Sequence, residues 1–138
     1  MKLLALLPIA LVLFGCGSDG GEGGGTAPAI SNLQYSPTSA HVGDGGGAVT
    51  ITGTMDFIDS DGDLDFLRLR YRPCGTGDWQ NFDIDLPALS GVTSGTIPFT
   101  FVVDTVSCGP VSNTAQVSVF DAQGHQSNIL NAPFELLP

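Results

Sequence analysis

The segment IDSDGDLDF (residues 58–66) places carboxylates at alternate positions, Asp59, Asp61, Asp63 and Asp65, around Gly62. Carboxylates two apart in a tight loop can turn toward one point. A hard cation such as calcium takes about six to eight oxygen ligands from groups of this kind. Gly62 supplies the backbone freedom for the sharp bend that such convergence needs. The same residues also make an ordinary polar turn, because Asp and Gly form turns readily and their side chains can point into water. Spacing alone leaves both readings open.

Other residues with chemical capacity are sparse. The two histidines are His41, in a glycine-rich stretch, and His125. Asp121, His125 and Ser127 have the residue types of a catalytic triad, but they fall within seven residues of one another. Neighbouring turn positions seldom give a nucleophile and its base the geometry that transfer requires. Paired carboxylates for sugar hydrolysis need a groove, which a small domain without long insertions does not build. The sequence has no phosphate-binding loop, zinc spacing or haem motif. No enzymatic activity is expected and no cofactor is required; a calcium ion at the Asp loop is the one candidate.

The chain that must position these groups has 138 residues, enough for one domain. Glycine is frequent at 19 residues, and 14 acids against 4 basic residues give a formal net charge of −10. Such a surface repels nucleic acid, which is excluded as a partner, and anionic headgroups. Aromatic residues scattered through apolar segments argue for a folded acidic domain rather than an acidic tail.

The N-terminus reads MKLLALLPIALVLFGC, with Lys2 followed by an apolar run over residues 3–14. That run has the length of a signal-peptide core and is short for a bilayer span. Leu13, Phe14, Gly15 and Cys16 resemble the lipobox of bacterial lipoproteins. The resemblance implies cleavage before Cys16, a diacylglyceryl group on its thiol and acylation of the new amino terminus. Several acyl chains on one residue make a stable anchor, since each buried methylene contributes about 0.8 kcal/mol. The glycine-rich stretch that follows has nothing to pack. As a flexible coil running to about residue 28, it would have a reach of roughly 15–20 Å. The expected organisation is a signal peptide over residues 1–15, a lipidated Cys16 and tether over residues 16–27, and a domain over residues 28–138. The expected location is exported and lipid-anchored to the cell membrane. Gly17 after the cysteine, in place of a retaining aspartate, implies the outer membrane where the host has one.

Beyond residue 28, apolar residues alternate rather than recur at helical spacing. AVTITGTMDF puts Val49, Ile51, Met55 and Phe57 on one face, and LDFLRLRYR alternates Leu67, Leu69 and Tyr71 with Arg68, Arg70 and Arg72. ISNLQYS, WQNFDIDL, TIPFTFVVD, AQVSVF and ILNAPFELL are further strands, separated by glycine-, proline- and aspartate-rich turns such as SPTSAHVGDGGG and DAQGHQ. About seven short strands in one domain predict an all-β, two-sheet sandwich of immunoglobulin type. VSVFDAQGHQSN resembles the F–G hairpin of bacterial immunoglobulin-like, fibronectin-III-like and cadherin-like modules, with Asp121, Gly124 and Ser127 at the matching places and His125 where such repeats often carry Asn.

The Asp loop also resembles the start of an EF-hand. It departs where that family is strict, with Leu64 at the glycine position and Arg70 at the closing glutamate. The cadherin-like arrangement fits better. It implies that the B–C and F–G loops share one end, so that Asp121 joins Asp59, Asp61 and Asp63 as candidate calcium ligands. Four carboxylates held together without a cation would repel one another.

With Cys16 lipidated, Cys74 and Cys108 remain, and an exported compartment with an even count favours a disulfide between them. Arg68, Arg70 and Arg72 share a face, and a hairpin through PCGTGD would set Asp83 and Asp85 opposite them as cross-strand pairs. The competing reading of that face is an arginine patch for an acidic ligand. The expected function is a membrane-anchored envelope lipoprotein presenting a non-catalytic binding or adhesion module. Its partners are the bilayer, through Cys16, and an unidentified protein or glycan. The alternative is a passive spacer.

Overall fold

Alternation of buried and exposed side chains carries through to the structure, a computed structural model that describes residues 24–138. Cys16 and the signal-peptide and tether segments up to residue 23 lie outside the described residues. The strands are β1 (Ala29–Ser36), β2 (Ser39–His41), β3 (Ala48–Ile58), β4 (Leu64–Tyr71), β5 (Gln80–Asp85), β6 (Ser94–Asp104), β7 (Val111–Asp121) and β8 (Leu130–Leu137). They form a three-stranded sheet, β1-β3-β6, and a five-stranded sheet, β2-β8-β7-β4-β5. Pairing is antiparallel except between β2 and β8, which run parallel.

The two inner faces meet in a core of Met55 and Phe57 from β3, Leu67 and Leu69 from β4, Ile97 and Phe99 from β6, and Val117 and Val119 from β7. Ile51, Phe134 and Leu136 continue it toward the other end. Met55, Ile97 and Val119 are fully buried. Each such aliphatic side chain contributes about 1.5–3 kcal/mol on leaving water. Gly53 breaks the apolar alternation of β3 for a steric reason. A Cβ there would lie 2.4 Å from the Phe99 ring and 2.5 Å from the Gln34 carbonyl oxygen. Only glycine lets the strand pass beneath them.

One departure from the expected layout is β2, which falls in SPTSAHVGDGGG, read from sequence as a turn. After β1 the chain crosses to the other sheet and pairs Ser39, Ala40 and His41 with Glu135, Leu136 and Leu137, burying Ala40. The pairing protects the edge of β8. It raises the strand count to eight among the described residues. At the same end the Cys74–Cys108 disulfide joins the β4–β5 and β6–β7 connections, with a Cα–Cα distance of 5.2 Å.

The wider sheet is only partly covered by the narrower one. Between the free edges of β5 and β6 the sheets part into an apolar cleft of about 840 Å³, lined by Leu69, Tyr71, Phe82, Phe101 and Val102 among others.

Candidate metal centre

At the opposite end, the β3–β4 loop is built from three aspartates, a serine and a glycine. Asp59 is buried and organises the loop. Its Oδ2 accepts the Asp63 N–H at 2.9 Å, and its carbonyl accepts the Gly62 N–H at 3.2 Å. Gly62 takes φ +66°, and a Cβ on it would sit 3.1 Å from the Gly91 carbonyl carbon. That close approach lets Gly91 N–H donate to Gly62 O at 2.7 Å, while Asp59 N–H donates to Thr93 O at 2.8 Å. On its other flank the loop is held by the β7–β8 connection, where Ala122 N–H donates to Asp63 O at 2.8 Å. The loop is thus tied on both sides and does not splay.

One carboxylate oxygen from each of Asp59, Asp61 and Asp63 lies within 4.8 Å of the other two. Asp63 Oδ2 accepts Gln123 Nε2–H at 3.2 Å. Asp63 Oδ1 is buried with no hydrogen-bond partner. An orphaned buried acceptor is uncommon and calls for an explanation. An all-oxygen set with one unsatisfied carboxylate oxygen fits a hard divalent cation, whose remaining positions carbonyls or water would fill.

Asp121, expected to be the fourth ligand, sits beside this group on β7, opposite Leu64 in register, but its carboxylate is engaged elsewhere. Its side chain is fully enclosed. Oδ1 accepts the N–H groups of Gln123 at 2.9 Å and His125 at 2.8 Å. Oδ2 accepts His125 Nδ1–H at 2.7 Å. Burial pushes the Asp121 carboxyl upward, but the hydrogen bonds from the His125 backbone and ring and from Gln123 outweigh it and hold the group below the usual carboxylate range. Asp121 therefore fastens the β7–β8 turn. Ser127 Oγ accepts Val119 N–H at 3.0 Å and donates to Asn128 O at 2.7 Å. Asp121 and His125 pair with each other, whereas Ser127 is spent on the backbone.

Two contributors escaped the sequence reading. Gln123 reaches Asp63 from the facing loop, and the Thr26 N–H donates to Asp61 Oδ2. The second contact lays the segment preceding β1 across the aspartate loop. Nothing in local spacing announces either one, since both depend on which loops share an end.

On the outer face of the five-stranded sheet, Arg68 is set opposite Asp83 as expected and grips it with Nε–H and Nη2–H, both at 2.7 Å. The hydrogen-bonded pair holds the Asp83 carboxyl below, and the Arg68 guanidinium above, their ordinary values. The expectation fails for Asp85. The register places it opposite Phe66, and Arg70 opposite Asn81. Arg70 and Arg72 instead lie over the Trp79 ring, at 4.8 and 4.6 Å from its centroid.

No protein-family model matches the chain, and no curated protein matches it in sequence. Among solved structures it is similar to the PKD domain of an M14-like peptidase from Thermoplasmatales archaeon SCGC AB-540-F20. That match has a TM-score of 0.54 at 15% identity and covers 83% of this chain and 99% of that one. A looser likeness, with a TM-score of 0.48 and 15% identity, is to the alkylpurine DNA glycosylase AlkC of Pseudomonas fluorescens, covering 81% of this chain and 31% of that one. Together with two packed sheets and the strand order described above, the PKD-domain likeness defines the class of protein. The chain carries an immunoglobulin-like β-sandwich module, braced at one end by a disulfide.

Proposed function

We propose that the chain is a cell-envelope lipoprotein, anchored through acylated Cys16, that presents this sandwich as a non-catalytic binding module with calcium bracing its loop end. The observation that carries the calcium reading is the aspartate trio with Asp63 Oδ1 buried and unpartnered. Asp59, Asp61 and Asp63 are the ligands, and Asp121 supports the neighbouring turn. The ion would offset most of the trio's negative charge and lock the β3–β4 loop against the segment that precedes β1. Affinity in extracellular modules of this sort is weak, on the order of 10⁻⁴–10⁻³ M.

The loop end exposes Ser60, Asp61, Gln123 and Gly124, and the segment before β1 runs across it. Apart from Ile58, exposed at the end of β3, and Ala122, this end is polar, and it suits bracing better than ligand contact. That favours the spacer reading for this end and leaves the sheet faces for any partner.

Thermal unfolding with about 5 mM calcium against excess chelator tests the metal. Binding of the stated affinity stabilises the fold by roughly 1–2 kcal/mol, a rise of several degrees that Asp61→Ala removes and magnesium does not reproduce. Identical curves would discard calcium. The anchor is tested separately: Cys16→Ser moves the chain from the membrane fraction to the soluble one, and unchanged fractionation would discard lipidation.

A further inference from the structure

The described residues contain three arginines and no lysine; Arg68 and Arg70 project from one face of β4, and Arg72 follows directly after its last residue. Among the described residues of a chain of net charge −10, this is the one place where an anion meets concentrated positive charge. The register shows how that charge is divided. Across β5, β4 and β7 the outer face carries the rows Asp85–Phe66–Phe120, Asp83–Arg68–Ser118 and Asn81–Arg70–Gln116. Arg68 is neutralised by Asp83 and lies over Phe66 and Phe120, whose rings stack at 4.8 Å. Arg70 has a neutral amide on each side and makes no ion pair among the described residues.

These side chains border a shallow groove of about 160 Å³, the scale of a single sugar ring, lined by Arg68, Arg70, Trp79, Asn81, Gln116 and Gln126 among others. A guanidinium held over an aromatic ring loses little freedom on binding and keeps its N–H donors for a carboxylate. Amide side chains on either side both donate and accept, which suits hydroxyl groups. One fixed cation between two amides is therefore complementary to a polyhydroxylated carboxylate.

We propose that this face binds an acidic saccharide, with Arg70 taking the carboxylate of a uronic acid residue and Asn81, Gln116 and Gln126 taking ring hydroxyls. The inference rests on the reading of the module as a binder and names its ligand class. It does not involve the calcium loop.

Trp79 is the chain's sole tryptophan and borders the groove, so its fluorescence reports occupancy. The full chain is titrated with trigalacturonate at low ionic strength and without added calcium. The comparison ligands are its methyl ester, neutral cellotriose and a triglutamate peptide. The expected result is a saturating change in Trp79 emission with trigalacturonate, weakened about tenfold or more for the ester and for Arg70→Gln. Arg70→Lys falls between, because it keeps the charge and loses the fork. Asn81→Ala weakens binding with an unaltered melting temperature. The proposal is overturned by an absent response, by equal binding of the ester, or by an Arg70→Gln variant that binds like the parent. Triglutamate binding as tightly would overturn the saccharide and assign the face to acidic peptides. If the calcium shift persists while the saccharide fails, this site falls and the braced module stands.

Discussion

Replacing Asp121 separates its work as a turn fastener from the metal role suggested by its place in the sequence. Its enclosed carboxylate accepts two backbone N–H groups at Oδ1 and the His125 ring at Oδ2. Hydrogen bonds to a charged group contribute roughly 1.5–3 kcal/mol each. All three donors belong to exposed Gln123 and partly exposed His125, so water recovers part of the loss. Asp121→Ala is therefore expected to cost about 3 kcal/mol, lowering Tm by about 12 °C for a domain of this size. Asp121→Asn keeps an acceptor at Oδ1 for both backbone groups but loses the charge and the Oδ2 acceptor, leaving the His125 ring to meet an amide N–H with an unprotonated Nδ1, so its cost should be smaller, about 1–2 kcal/mol. Both variants should keep the full calcium-induced rise.

The pH dependence has a definite sign. The folded Asp121 carboxyl titrates below its unfolded value, which is about 3.9. Its contribution is thus complete above the unfolded value and is lost as pH falls through the folded one. The Asp121 contribution to the stability gap between parent and Asp121→Asn should shrink below about pH 4. Chemical denaturation above and below that pH, with melting curves with and without calcium, reads all of this. An Asp121→Ala variant melting within about 2 °C of the parent would refute the fastening role. Loss of the calcium increment in Asp121→Asn would return Asp121 to the metal.

Two further perturbations probe the frame. The Cys74–Cys108 bridge spans a sequence separation of 34, and its removal by Cys74→Ser with Cys108→Ser should cost about 4 kcal/mol on the chain-entropy estimate; a denaturation midpoint that does not move would contradict this. Gly53→Ala forces a methyl group against the Phe99 ring and the Gln34 carbonyl and should cost about 3 kcal/mol, whereas an unchanged melting temperature would mean that β1 and β6 yield freely.

The sandwich was legible because alternation with period two is a direct imprint of a half-buried strand. Ile51, Met55 and Phe57 share the buried face as the pattern implies, and Val49 packs partly buried against the same core. β2 was not legible: three residues with one buried side chain carry no pattern, and their pairing depends on the edge of a strand about a hundred residues on. The aspartate loop was legible as a bend able to gather carboxylates. Which acids gather was not. Asp121 shows why, since Asp followed by Gln123 and His125 is equally a side chain closing its own turn.

The arginine face marks the same boundary from the other side. Alternation places Arg68, Arg70 and Arg72 on one face, and the hairpin sequence places two aspartates on the next strand. Whether charges cancel depends on register, and register is set by the length of the turn. The connection after Tyr71 brings Gln80 opposite that residue. Counting back along both strands then puts Asn81 against Arg70, Asp83 against Arg68 and Asp85 against Phe66. A pairing displaced by two residues would have set Asp83 against Arg70 and Asp85 against Arg68, and the face would be closer to neutral. The observed register instead leaves one guanidinium flanked by amides and without a carboxylate among the described residues. That exposed, ring-supported cation is what an anionic ligand would find.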